Sequence, residues 1–457
     1  MVMKMKTNRI ALSAALLAST TLVPVAAFAQ DTTSSEPEDV IQVRYQYIPD
    51  DRRVTSEVSA ALSIGDLETT GDSDLAAALV RVTGLSTTNG KFVVVRGLNE
   101  RYSNTLLNGS PMPSPEPFRR AAPLDIFPTS VIASSLVQKT YSANFPGEFG
   151  GGVINLTTRA VPDESFVKVS AGVSGDTETT FGTGYTYFGS DYDWFGFDDG
   201  RRDPGPVLQS FLDSGQSIND PDVDQQAILT ELGDPNLILL QSTDELPVNW
   251  SGGITAGTSV DVFADGRFGV IATASLSNKY RNRYITRQAA LNGDLDLDQT
   301  GNQFQTDQRM LANVMLGFGL EVGEHRFRLT NLYIRDSLKR ASLAQISDLT
   351  DDDDDLIQNT AWYERQLFDT QFVGELEFGD LSVDLRAGYA QTQREAPNEW
   401  EFVYTRDLTP TTQLDEIYLN LQNGGQRGRT TVAFSDLTED LYYGGLDLSY
   451  QFADWVT

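Results

Sequence analysis

The sequence contains no cysteine, which removes disulfides, thiolate nucleophiles and cysteine-ligated zinc together. It contains a single histidine, His325, so a histidine-rich metal centre or a Ser-His-Asp hydrolase has little to be built from. Positive charge is scarce as well: 34 Lys and Arg stand against 64 Asp and Glu, a formal net charge of −30. Such a chain repels nucleic acid and anionic membrane surfaces, which excludes nucleic acid as a main partner. Long hydrophobic runs are missing too. Beyond residue 30 no stretch approaches the ~18 apolar residues that a membrane-spanning helix needs. The carboxylates are too numerous to single out an acid–base pair. No catalytic set, metal site or cofactor motif emerges, and the chain reads as a non-enzyme. Its 457 residues suffice for two or three domains.

What is present begins with a leader. Lys4, Lys6 and Arg9 precede the short apolar stretch Ile10–Ala18, and Ala27-Phe28-Ala29 is a small-x-small cleavage site, so residues 1–29 read as a signal peptide. Residues 30–57 read as a flexible segment, polar and acidic at 31–38. Within it Asp39, Val40, Ile41, Gln42 and Val43 form a brief β-prone run with no local partner, suited to adding onto a foreign sheet edge.

Residues 58–161 have the texture of a small α+β domain. Leu75, Ala78, Leu79 and Val82 fall at helical spacing, with Gly84 as a C-cap residue. Phe92–Arg96 and Val153–Thr158 read as strands, Val131, Ile132 and Leu136 as a second short helix, and Val137–Lys139 as a strand. Gly150, Gly151 and Gly152 lack the Lys-Ser or Lys-Thr of a phosphate loop and read instead as a tight turn of backbone against a wall.

From 162 to 457 apolar and polar residues alternate in segments of about ten residues or more, the strand length of a transmembrane β-barrel. Such segments start near residues 164, 181, 250, 268, 310, 327, 372, 381, 402 and 441. Asp265-Gly266, Gly323-Glu324 and Gly379-Asp380 read as tight turns, and 191–246, 282–308 and 339–360 as long polar loops. Short turns on one rim and long loops on the other complete the barrel pattern, a soluble sandwich or solenoid being the alternative. The fold class is therefore mainly β: a small α+β domain followed by antiparallel membrane strands. About ten strands cannot close around a domain of a hundred residues, so the barrel is expected to be incomplete in this chain, as in a fragment or a decayed gene. The acidic run Asp351–Asp355 lacks the spacing and central glycine of a calcium loop and reads as a solvated loop. His325 reads as a turn or interfacial residue.

Several pieces, taken in order, carry a resemblance. Asp74-Leu75-Ala76-Ala77-Ala78-Leu79, Val82-Thr83-Gly84, Val95-Arg96-Gly97-Leu98, Leu107-Asn108-Gly109 and Leu124-Asp125-Ile126-Phe127-Pro128 come first. The run from Gly147 to Asn155 and then Thr157-Thr158-Arg159 follow. Together they resemble the plug of TonB-dependent outer-membrane receptors. The stretch from Trp194 to Arg202 resembles the first long loop of the large-receptor branch of that family.

The resemblance implies a plug seated inside a barrel of about 22 strands. It also implies uptake of a scarce small-molecule ligand, such as an iron-siderophore complex or an oligosaccharide. The partners would be outer-membrane lipid and TonB with its inner-membrane energising complex. Asp39–Val43 match the TonB-captured box, although Gln42 and the following Arg44 depart from its commonest pattern. Arg96 and Arg159 resemble plug arginines that pair with barrel glutamates. No signalling domain fits between residues 30 and 58. Tyr192, Trp194, Phe195 and Phe197 could stack on a ligand or anchor the loop at the membrane interface. A passive channel or a surface-binding protein without TonB coupling are the alternative functions.

Overall fold

The computed structural model describes residues 59–63, 75–88, 90–117, 119, 121–127, 129, 132–140, 150, 152–158, 162, 164–263, 265–350, 352–408, 417–420 and 428–452. The first part is a small mixed domain. Its elements are β1 (Ser59–Ser63), α1 (Leu75–Leu79), β2 (Leu85–Thr88), β3 (Phe92–Val95), β4 (Ser103–Leu107), β5 (Ser110–Pro111), β6 (Ile132–Gln138) and β7 (Gly152–Thr158). Five of the strands form one sheet in the order β1-β6-β7-β4-β5, with β4 and β7 parallel, and β2 and β3 form a separate hairpin. The short helix α1 buries Leu75, Ala76, Ala78 and Leu79, and the chain reverses after it at Gly84, φ 82°.

Two expectations for this domain are corrected. Ile132 and Leu136 lie in β6, paired with β7 along its length, so the apolar spacing there belongs to a strand and not to a helix. Gly152 does not turn against the outer wall, and Gly151 lies outside the described residues. A Cβ on Gly152 would lie 2.9 Å from the methyl groups of Val95, so this glycine lets β7 pass over β3 inside the domain.

The second part is an antiparallel sheet. β8 (Phe166–Ser174) leads into a long connection holding β9 (Gly184–Thr186), α2 (Pro206–Ser214), α3 (Gln225–Leu232), α4 (Pro235–Ile238) and β10 (Gln241–Thr243). Then come β11 (Asn249–Val262), β12 (Gly266–Ala290), β13 (Leu297–Val322), β14 (His325–Asp348), β15 (Asp353–Phe378), β16 (Leu381–Asp407) and β17 (Arg429–Tyr450). Eight strands are hydrogen-bonded in the order β17-β16-β15-β14-β13-β12-β11-β8.

β12 to β16 are longer than the hydropathy suggests. Residues 282–308 and 339–360 are not loops but the paired upper arms of two hairpins, with Arg281 opposite Asp307 and Arg340 opposite Ala361. The segments beginning at Leu381 and Phe402 are one strand, β16. Polar side chains on both faces hide strand character from hydropathy, whereas backbone pairing does not depend on it. The segment at 181–187 is likewise no strand of this sheet; its β9 pairs only with β10. Asp354 is no solvated loop residue. It is buried in β15, bound by Arg406 and by the Ser347 hydroxyl at 2.5 Å.

Successive side chains on a strand point to opposite faces, and the register shows what each face holds. Val260, Phe268, Leu320, Phe327, Leu385 and Leu446 lie in one cross-strand row. On that same face Val169, Ile254, Val314, Leu329, Phe372 and Leu448 are exposed. The opposite face carries Ile271, Met315, Leu332, Ile334 and Leu367, which are buried in one core with Leu75, Leu79, Leu107, Leu124, Ile126 and Phe127 of the first domain. An apolar band about nine residues tall on the uncovered face, as from Phe268 to Leu276, matches a bilayer's hydrocarbon thickness. His325, beside the tight turn at 323–324, accepts a hydrogen bond from the Glu377 N–H at 3.2 Å and packs its ring 5.0 Å from Phe378.

On the covered face Tyr443 of β17 reaches across β16 to donate its hydroxyl to Asp369 Oδ2 at 3.1 Å. It can do so only over Gly388, where a Cβ would lie 2.4 Å from the ring. Gly388→Ala is therefore expected to cost about 1–3 kcal/mol, read as melting of the folded, heat-modifiable band at lower temperature. Gly444→Ala, whose Cβ would meet only the Arg386 carbonyl at 3.7 Å, is expected to leave that melting unchanged.

Candidate functional site

The small domain meets the sheet through a buried polar interlock. Its hub is Asp125, in the one-turn 3-10 helix Leu124–Ile126. The Leu75 N–H donates to the Phe127 carbonyl at 2.9 Å and the Leu124 N–H to the Lys91 carbonyl at 2.8 Å, so α1 and the β2–β3 hairpin fix that turn. From the sheet, Arg309 of β13 approaches Asp125 Oδ2 at 2.9 Å and Arg365 of β15 approaches it at 3.2 Å. Arg365 also binds Glu116 at 2.7 Å, and Glu116 binds Lys91 at 2.9 Å. Asp336 of β14, directly opposite Arg365 in the register, pairs with both arginines.

Three cations and three anions thus share one desolvated volume with no net charge. Such an arrangement tolerates burial, whereas any one of these charges alone would not. Burial works against ionisation of Glu116, but Arg365 and Lys91 outweigh it and hold the carboxyl below its ordinary 4.5. Burial and the Arg365 charge push the Lys91 ammonium down, against the pull of Glu116.

A second grip lies at the turn Asn108-Gly109. Asn108 adopts a left-handed backbone, φ 48°, a conformation asparagine accepts more readily than most residues. Its Nδ2 donates to Gln371 Oε1 of β15 at 2.7 Å, and Gln371 Nε2 donates to the Leu107 carbonyl at 3.0 Å. Arg386 of β16 donates to the Gly109 carbonyl at 3.3 Å. The seam between domain and sheet is therefore apolar at its centre and polar at these two grips.

Separation would divide the six charges unevenly. Asp336 would keep its two arginines on the sheet, and Glu116 would keep Lys91 on the small domain. Only Asp125 would lose every partner among the six. The arrangement is a latch that one carboxylate closes.

Of the residues singled out from sequence, Asp39–Val43 and Arg159 lie outside the described residues. Arg96 is exposed at the turn after β3, with φ 53°, and pairs with no carboxylate among the described residues. The ion pairing found here has the opposite polarity: acids on the small domain and arginines on the sheet. Asp125 was legible as a lone charge within Leu124-Asp125-Ile126-Phe127, a sign of a buried carboxylate needing a partner. Arg309, Asp336 and Arg365 give no local signal, since alternation alone does not say which face meets the domain.

Among the described residues no cluster of three or more His, Asp or Glu is arranged to hold a metal ion. A cavity of about 180 Å3 lined by Tyr185, Tyr280, Thr306, Gln308 and Lys339 lies on the other side of the sheet, under the β9–β10 hairpin. It is thus separated from the latch by the wall.

Residues 50–153 match the family model described as the TonB-dependent receptor plug domain. Among solved structures, the chain is similar to the ferric citrate transporter FecA in the unliganded form. There the identity is 12%, over 88% of this chain and 61% of that one, with a TM-score of 0.30. It is similar to the siderophore receptor PiuA from Acinetobacter baumannii at 12% identity, covering 86% of this chain and 55% of that one, TM-score 0.37. For P. aeruginosa FpvA bound to heterologous pyoverdines the identity is 10%, the coverage 88% and 50%, and the TM-score 0.38. The chain spans between 50% and 61% of the length of these structures. No curated protein matches the sequence.

Arg365→Leu leaves Asp125 and Asp336 to share Arg309, one carboxylate in excess in the interface, and is expected to cost about 3–5 kcal/mol. Asp125→Asn is expected to loosen the small domain while leaving the sheet folded, read as faster proteolysis of residues 75–127 with unchanged heat-modifiable migration. Because folding favours the ionised form of Glu116, its contribution is complete above the ordinary carboxylate range. It is lost as pH falls through the lowered value. Release of the domain measured between pH 6 and about pH 3 should therefore rise in acid, and Glu116→Gln should flatten that rise.

Proposed function

We propose that this chain, which carries a TonB-dependent receptor plug domain, acts in an outer-membrane receptor that imports a scarce ligand when TonB draws on the plug. The observation that carries the reading is a plug interlocked with one face of an antiparallel sheet whose other face is an exposed apolar band. Only a wall between lipid and a filled lumen asks for that pairing of faces.

In this reading residues 1–29 direct export and Asp39–Val43 are captured by TonB through strand addition. A pull on the segment preceding β1 reaches the five-stranded plug sheet and, through the turn at 124–126, the latch. Removal of Asp125 from Arg309 and Arg365 opens the polar seam, and the Asn108–Gln371 grip parts with it. The ligand is a small molecule too large for passive diffusion, a metal chelate or an oligosaccharide.

The test is uptake in cells carrying the whole gene, with the 39–43 segment deleted. Uptake should fall to the level seen when the proton gradient is collapsed, while surface binding of the ligand persists. Unchanged uptake would mean a passive channel, and binding with no gradient-dependent uptake in the wild type would mean a surface receptor.

A further inference from the structure

The connection between β8 and β11 does not lie over the plug. It is fastened to the opposite face of the wall, just above the apolar band. On β14 the last residue of that band is Tyr333, on the same face as Leu329. Two residues further, roughly 7 Å along the strand, Arg335 donates through Nε to the Gly196 carbonyl at 2.9 Å. Ser337 donates to the same carbonyl at 2.5 Å, and Lys339 donates to the Phe188 carbonyl at 2.9 Å.

The fastening is a second neutral cluster. Arg202, only 1% exposed, forks onto both oxygens of Asp193 at 2.8 Å and lies 4.4 Å from the Trp362 ring. Lys339 reaches Asp193 at 2.7 Å, Arg335 reaches Glu364 at 2.5 Å, and Asp198 binds Arg202. These three cations and three anions therefore cancel.

The other side of the loop is aromatic. Phe181, Phe188, Tyr192, Trp194 and Phe195 are all exposed, Phe181 by 69%, whereas the Phe197 ring lies 4.1 Å from the Arg335 guanidinium on the strand side. Phe181 also holds a left-handed backbone, φ 61°, an uncommon conformation for a bulky residue and one normally kept for a reason. Five exposed aromatic rings on a segment pinned this firmly are an unfavourable surface for water. At the edge of a hydrocarbon layer they are a favourable one, because such rings partition into the headgroup region.

We propose that residues 181–202 form a membrane-contacting collar, whose aromatic side sits in the headgroup layer of the outer leaflet. The partner is the lipid surface itself, continuous with the apolar band beneath it, and the loop is not a lid over the transported ligand. The inference rests on the membrane-wall reading above, so its test must separate the two.

The absence of cysteine makes single-site labelling direct. An environment-sensitive fluorophore would be placed on the full-length protein at Trp194→Cys, with Leu446→Cys in the apolar band and Gln216→Cys in the exposed turn after α2 as references. The proteins are inserted into phosphatidylcholine vesicles, with heat-modifiable migration certifying insertion. Quenching is then compared between aqueous iodide, headgroup-proximal doxyl lipid and mid-chain doxyl lipid.

The collar requires the Trp194 site to be quenched by the headgroup-proximal lipid and shielded from iodide, with Leu446 quenched by the mid-chain lipid and Gln216 by iodide alone. A Trp194 site behaving like Gln216 while Leu446 remains in lipid overturns the collar and leaves the wall standing. Iodide access at Leu446 overturns the wall and the collar together. If Trp194→Cys fails to insert, Phe188→Cys reports the same contact.

Discussion

A β-strand offers alternate side chains to its two sides, so a sheet with unlike surroundings must keep two unlike faces in register across every strand. That constraint governs the second part of this molecule. The row from Val260 through Phe268, Leu320 and Phe327 to Leu385 and Leu446 is apolar at each aligned position described for it. The rows between are polar or pack on the plug. A slip of one residue in β14 would place Asp336 on the apolar face, and a slip in β15 would place Arg365 there and Phe368 against the plug. Register is thus enforced by both faces at once, which explains why β12 to β16 stay paired over more than twenty residues with few bulges.

The interlock on the inner face follows from the same constraint. A plug packed by hydrocarbon alone would be hard to part from its wall, since each buried leucine resists exposure by about 1.5–3 kcal/mol. A plug held only by unpaired charges would not seat at all. The seam found here uses both. Its apolar part orders Leu124, Ile126 and Phe127 against Leu332, Ile334 and Leu367, while the charged part remains neutral in total. Because Asp336 keeps its arginines and Glu116 keeps Lys91, displacement would uncover one carboxylate on the domain and one surplus arginine charge on the sheet rather than six charges.

Much of this architecture was legible in the sequence, and the parts that were not share a physical cause. Alternation around residues 166–173, 268–276 and 381–389 announces strands with one apolar face, because side chains alternate between two unlike surroundings. The plug was legible through ordered short motifs around α1, β3 and β7. The arms at 282–308 and 339–360 were not, since beyond the apolar band both faces meet water or polar neighbours and hydropathy carries no period. Ile132 and Leu136, four residues apart, suit a helix as well as a bulged strand, and only pairing with β7 decides between them. The ion pairs were hidden because their polarity depends on which domain supplies which sign. Asp125 carried a local sign of burial, while its partners stand 184 and 240 residues away.

One pair of dipeptides brings the two faces together. β14 carries Arg335-Asp336 and β15 carries Glu364-Arg365, so the two strands place opposite charges back to back at one height. On the inner face Asp336 meets Arg365 in direct register and holds that arginine where Asp125 reaches it. On the outer face Arg335 meets Glu364 diagonally and holds the loop. On this outer face Tyr333 and Phe368 are the last apolar residues below the ion pair, and they too stand opposite each other in the register. The end of the apolar band, the seat of the first long loop and the grip on the plug are therefore set at one height by the same four residues.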